Sequence, residues 1–129
     1  MALKLLIAAV FLNWLMVTTA SLWRANAWTP GGMMAAVGPR DVPIEPSVYA
    51  GRAERAAKNM SENLPFFIAV VLAAYAAGRS GPGVDTGALV FVIARVVYWP
   101  VYISGIPFLR TGVWAVSIGA LAWIGYAAL

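Results

Sequence analysis

Four long apolar stretches, joined by one long and two short polar connections, constrain this chain more than any other feature. They cover about residues 3–23, 56–77, 86–103 and 111–129. Each holds about 18–22 residues, and about 20 are needed to cross roughly 30 Å of hydrocarbon at 1.5 Å rise per residue. In a chain of 129 residues this leaves almost nothing for a water-soluble domain. Composition agrees, with 62% of residues hydrophobic, 11% charged and a mean hydropathy of +0.80. A soluble globular chain is nearer half apolar and a quarter charged. A core of this size would leave most of its surface in water, so the apolar residues must face lipid or one another. The expected fold class is all-α integral membrane, one domain over residues 1–129 in contact with membrane lipids.

The connections set the topology. Arg79-Ser80-Gly81-Pro82-Gly83-Val84-Asp85 and Gly105-Ile106-Pro107-Phe108-Leu109-Arg110 read as tight Gly/Pro turns. Connections this short force antiparallel neighbours, which predicts an up-down four-transmembrane-helix bundle. Thr18-Thr19-Ala20 resembles a leader-cleavage site, but the apolar run continues through Leu22 and Trp23, so the first stretch is read as a span. The connection over about residues 24–52 contains Pro30, Gly31, Gly32, Pro39, Pro43 and Pro46. That composition favours an irregular connector over the alternative, a short turn of Met33 to Val37 on the membrane surface. Arg24, Arg40, Arg52, Arg55, Lys58 and Arg110 fall on the side of this loop, against Lys4 and Arg79 opposite. Basic residues stay in the cytoplasm, so both termini are expected to face away from it.

Several chemistries are excluded or disfavoured. With no Cys and no His, the chain offers no disulfide framework, no zinc site, no His or Cys haem ligand and no thiol nucleophile. No metal is expected, and any thiol must arrive on a bound small molecule. The net charge of +4 is spread over helix ends and loops, where it suits anionic lipid head groups. It forms no clustered basic stripe, so no nucleic-acid partner is expected.

Polar groups within the apolar stretches carry the functional information, since each costs a few kcal/mol at the bilayer centre unless paired. In the second stretch Arg55, Asn59 and Glu62 stand at i, i+4 and i+7 on one helical face, with Lys58 at its edge. In the third, Arg95, Tyr98 and Tyr102 stand at i, i+3 and i+7. Arg95 lies too deep for easy snorkelling and needs a carboxylate, which predicts a Glu62–Arg95 ion pair between the two helices. Arg110 and Thr111 open the fourth stretch, where a cation and a hydroxyl add to a helix N-terminus to favour an anion; the plainer alternative is an interfacial Arg with a Thr cap. Arg55, Lys58, Arg95 and Arg110 against one Glu62 favour an anionic ligand over mere structural glue. The six tryptophans are read as interface anchors or packing. Gly112, Gly119, Ala122 and Gly125 are read as close-packing positions of the last helix.

These residues carry a resemblance. Arg55-Ala56-Ala57-Lys58-Asn59-Met60-Ser61-Glu62-Asn63-Leu64-Pro65-Phe66 resembles the second-helix signature of the MAPEG family, the membrane-associated proteins of eicosanoid and glutathione metabolism. Arg95, Tyr98 and Tyr102, followed by Gly105-Ile106-Pro107 and Arg110-Thr111, resemble its third- and fourth-helix signature, and Glu62-Asn63-Leu64-Pro65 is most similar to the bacterial branch. The resemblance implies a homotrimer in a bacterial inner membrane that binds glutathione between adjacent subunits at the cytoplasmic end. It implies a glutathione transferase or peroxidase acting on a lipophilic small-molecule substrate. By position, Asn59 and Glu62 would hold the peptide and amino group of glutathione, and Arg55, Lys58 and Arg95 would supply cations to the site, with Lys58 and Arg95 on its carboxylates. Tyr98 and Tyr102 would line the site, and Arg110 with Thr111 would stabilise the thiolate as the catalytic pair. Three positions depart from the pattern. Lys58 stands where many members have Arg, which removes bidentate carboxylate binding. Ala57 stands at a position that is often His, and Tyr98 replaces a His of some members.

Two function classes remain open on the residues alone: the glutathione-dependent enzyme, and a catalytically silent structural or accessory subunit of a larger membrane complex. A site open to the cytoplasm between subunits favours the first, and a closed ion-pair network the second. A transporter is disfavoured, because no inverted repeat or paired broken helices are visible.

Overall fold

The computed structural model describes residues 1–39 and 41–129; among them are five helices and no strand. Arg40, counted above with the basic residues of the first loop, lies outside the described residues. α1 spans Ala2–Ala25, α2 Pro30–Val37, α3 Val48–Ala76, α4 Pro82–Ser104 and α5 Pro107–Ala127. Helices α1, α4 and α5 are long and apolar enough to cross a membrane. α3 is the longest at 29 residues, but Arg52, Glu54, Arg55, Lys58 and Glu62 make its first half far more polar.

Local chemistry explains the boundaries, and two of them correct the sequence reading. The segment expected to be an irregular connector holds α2 and the first turn of α3. Pro30 sits at the first position of α2, where its missing N–H costs nothing, and the Thr29 hydroxyl accepts from Gly32 N at 3.0 Å. The Ser47 hydroxyl accepts from Ala50 N at 3.2 Å and starts α3 eight residues before its apolar stretch begins. The second correction concerns α5, which opens at Pro107 with Ile106 as N-cap. Thr111 is therefore no cap; its hydroxyl donates to the Pro107 carbonyl at 3.0 Å. α4 ends at Gly105 with φ 78°, and a Cβ there would also come within 2.6 Å of the Arg52 guanidinium. That guanidinium donates to the otherwise free Ile103 carbonyl at 3.1 Å.

The most extensive pairing is α4 with α5, followed by α1 with α3 and α3 with α4. Their shared core holds Met16 of α1, Met60, Phe67 and Val71 of α3, Val84 and Phe91 of α4, and Ile124 of α5. The Phe67 and Phe91 rings stack at 4.2 Å. The two ends are pinned separately. At one end the Met1 ammonium and the Ala2 N–H both meet Asp85 Oδ1, at 3.1 and 2.7 Å, and Trp123 Nε1 donates to the Gly83 carbonyl at 3.0 Å. The starts of α1 and α4 thus lie beside the end of α5. At the other end Arg24 grips both oxygens of Glu54 at 2.9 and 3.0 Å and donates through Nε to the Ile44 carbonyl at 3.1 Å, joining the end of α1 to the start of α3.

The glycines of the last helix do not do what spacing suggested. A Cβ at Gly112, Gly119 or Gly125 would meet nothing within 4 Å, and Ala122 is exposed. The close approach belongs to Gly87 on α4, where a Cβ would lie 2.6 Å from Ile124 Cγ1 and 3.0 Å from Trp123 Cδ1. Spacing identifies which residues share a face, but not which face meets a neighbour.

Candidate functional site

A cleft of about 450 Å³ opens where α3, α4 and α5 come together near the start of α3. α3 supplies Arg55, Lys58, Asn59 and Glu62, and α4 supplies Tyr98 and Tyr102. The first two turns of α5 add Arg110, Thr111 and Trp114. Helical periodicity accounts for the first two sets, since residues three, four and seven apart project on one side. The Pro107 start accounts for the third. It puts Arg110 at the fourth residue of α5, with Trp114 one turn further along.

Aromatic faces organise the cations. Tyr98 and Tyr102 meet edge to face at 5.4 Å, and the Arg110 guanidinium carbon lies 4.8 Å from the Tyr102 ring centre. A guanidinium held on an aromatic face keeps its in-plane donors for other partners. Three cations and one carboxylate line the cleft, leaving two positive charges in excess.

Eight of the nine site residues expected from sequence line this cleft; Arg95 does not. It is fully buried behind the wall, with its guanidinium carbon 5.3 Å from the Phe91 ring centre and 5.4 Å from that of Tyr98. The expected Glu62–Arg95 ion pair is absent: among the described residues the ion pairs are Met1 ammonium–Asp85 and Arg24–Glu54. Arg95 Nη1 instead donates to Asn59 Oδ1 at 2.7 Å, while its Nε and Nη2 have no partner among the described residues. Asn59 and Glu62 share a face of α3, but Asn59 is directed inward and Glu62 is exposed.

The bond from Arg95 fixes the chemistry that Asn59 offers. Arginine only donates, so the Asn59 oxygen must face it. Asn63 Nδ2, at 2.8 Å from the Asn59 backbone oxygen and 3.5 Å from Oδ1, lies on the same side. The Asn59 amide N–H groups are left as its contribution to the cleft. Thr111 contributes an acceptor in this state, because its proton is committed to Pro107. Trp114 is the wall residue that sequence reasoning missed; it follows Arg110 at i+4, the spacing that shares a helical face.

The MAPEG family model matches residues 1–129, the whole chain. The chain belongs to the MAPEG family. Neither the curated proteins nor the solved structures include a match to it. MAPEG membership together with the three apolar helices marks a membrane protein, and it is consistent with a membrane glutathione-related transferase or peroxidase role.

Proposed function

We propose that this MAPEG protein is a glutathione-dependent transferase or peroxidase that acts on lipophilic electrophiles from within the membrane. The observation that carries the reading is the cleft between α3, α4 and α5, where three cations, one carboxylate, a donor amide and two tyrosines converge. Its volume of about 450 Å³ lies within the roughly 300–1,000 Å³ usual for small-molecule sites. Glutathione carries two carboxylates and one ammonium at neutral pH, and a thiolate adds a further negative charge. A cleft with two positive charges in excess and a single exposed Glu62 complements that pattern.

In this reading Arg55 and Lys58 receive the carboxylates, Glu62 receives the ammonium, and the Asn59 amide donates to a peptide carbonyl. Tyr98 and Tyr102 wall the ligand. Arg95 acts behind them, holding Asn59 and not the ligand itself. Arg110 faces the sulfur. A free thiol titrates near about 8.5, and an adjacent cation favours the charged form, raising the thiolate fraction at neutral pH. The thiol proton passes to solvent. The thiolate then attacks an electrophilic carbon with loss of the leaving group, or the distal oxygen of a hydroperoxide with release of the alcohol. In the second case the departing alkoxide takes a proton from solvent, and a further glutathione condenses with the resulting sulfenic acid to give glutathione disulfide and water. Trp114 lies where the cleft meets the apolar flank of α5, which suits a substrate that arrives through lipid.

The same reading includes α3 as a fourth membrane-crossing helix and a homotrimer with glutathione between adjacent subunits. Its setting is a bacterial inner membrane, with the cleft cytoplasmic and both termini opposite. The open cleft, and the absence of a Glu62–Arg95 pair closing it, support an enzyme over a silent accessory subunit. Activity toward a generic aryl halide and a lipid hydroperoxide, assayed on purified protein with and without glutathione, tests this. Glutathione-dependent turnover that falls in Arg110→Ala supports the proposal. A folded protein inert toward both substrates contradicts it.

A further inference from the structure

α2 is unlike the other helices, because it is short, uncharged throughout and follows a membrane-crossing helix after only residues 26–29. The turn between them is rigidly built. Asn26 takes the left-handed conformation (φ 53°), Ala27 N donates to the Leu22 carbonyl at 3.0 Å, and the Thr29 hydroxyl donates to the Asn26 carbonyl at 2.9 Å. Gly32 closes the joint, since any Cβ there would overlap the Ala25 and Asn26 carbonyl oxygens. α2 is therefore held at the level where α1 leaves the hydrocarbon.

The two sides of α2 differ. Ala36 is half-buried and, with the exposed Ala35, borders a cavity shared with Leu22 and Arg24. Met34 and Val37 turn outward with 74% and 77% of their surfaces exposed, and Trp28, just before the helix, is 67% exposed. An apolar helix end-on to a membrane span, with an exposed tryptophan at the joint and Arg24 in the last turn of α1, has the features of a membrane-interface element. Tryptophan prefers the head-group level.

We infer that α2 is a membrane-seated anchor. Its outward face, Met34 and Val37 with Trp28, lies in the boundary between lipid head groups and acyl chains of the bilayer that α1 crosses, at a depth of roughly 5–10 Å. The Arg24 contacts to Ile44 and Glu54 then transmit this seating to the loop and to the start of α3. The occupant of the exposed face is lipid, in preference to water or a second copy of the chain.

The absence of cysteine makes the test direct. Met34→Cys and Val37→Cys, each carrying a nitroxide label in the full-length protein, are reconstituted in phosphatidylcholine vesicles. Phe11→Cys on the exposed flank of α1 serves as the lipid reference, and Glu45→Cys as the water reference. Labels at 34 and 37 are expected to collide with oxygen several-fold more often than with a water-soluble nickel chelate, as at position 11, with the order reversed at 45. Nickel access at 34 and 37 equal to that at 45 would overturn the inference in favour of water. Low access to both reagents would overturn it in favour of a protein neighbour, a second copy included. Both substituted side chains are exposed, so the helical circular dichroism of the parent protein should be retained.

Discussion

The two halves of α4 meet α5 in opposite ways. In the first half, Gly87 presents no side chain, so Ile124 and Trp123 settle against the α4 backbone and Phe91 stacks on Phe67. In the second half, Arg95, Tyr98 and Tyr102 stand where small residues would allow the same approach, and Arg110 rests on Tyr102 from the α5 side. The first half is an apolar contact bordered by an apolar groove of about 290 Å³ along Gly87, Val90, Val116 and Gly119, and the second is a polar cleft. One helix thus joins an apolar packing end to the end that carries the proposed site, and the difference lies in which side chains fill the seam. A guanidinium buried behind the cleft wall, held by a single asparagine, is the cost of the second arrangement.

Asn59→Leu should damage the polar half most. It removes the one hydrogen bond that the buried Arg95 guanidinium makes among the described residues, and stripping the partner from a buried charge costs about 3–5 kcal/mol. Thermal unfolding in detergent reads this, and adding Arg95→Leu should recover part of the loss. A loss unchanged in the double variant would break the coupling assigned to the pair. Arg110→Ala should lower glutathione-dependent turnover about 10²–10³-fold, the range for removing one charge-stabilising group, while glutathione still binds. A parallel loss of binding would make Arg110 a ligand holder and not a thiolate stabiliser.

The apolar half is probed by glycine. Gly87→Ala should cost about 1–3 kcal/mol through overpacking against Ile124 and Trp123, whereas Gly119→Ala on the facing helix should stay within about 0.5 kcal/mol. Equal effects would remove the distinction drawn between the two glycines. Arg24→Ala should cost less than about 1 kcal/mol, because its pair with Glu54 is partly exposed and screened. Unfolding midpoints measured side by side would rank Asn59→Leu, Gly87→Ala, Gly119→Ala and Arg24→Ala.

The long helices were legible because hydrocarbon thickness leaves its length in the sequence. What lay outside hydrocarbon was harder to read. The first turns of α3 are charged and fall outside any apolar window, although Ser47 after Pro46 is a helix-start signal. Thr29-Pro30 announces α2 in the same way, and Pro107 announces α5 ahead of Arg110. At the cleft, periodicity put the α3 residues and the two tyrosines on the faces that line it. It could not show that Arg95 takes Asn59 and leaves Glu62 exposed, because a shared face specifies direction but not depth or rotamer. Gly87 and Gly119 differ only in what lies opposite them, which one chain's pattern does not encode.

We propose the charged half of this seam as a glutathione site. Calorimetric titration of glutathione into the full-length protein in detergent tests it most directly, with Arg55→Ala and Glu62→Ala alongside. Saturable heat at or below millimolar glutathione, weakened in both variants, is the predicted result; a folded parent protein that gives no heat at millimolar glutathione would contradict it.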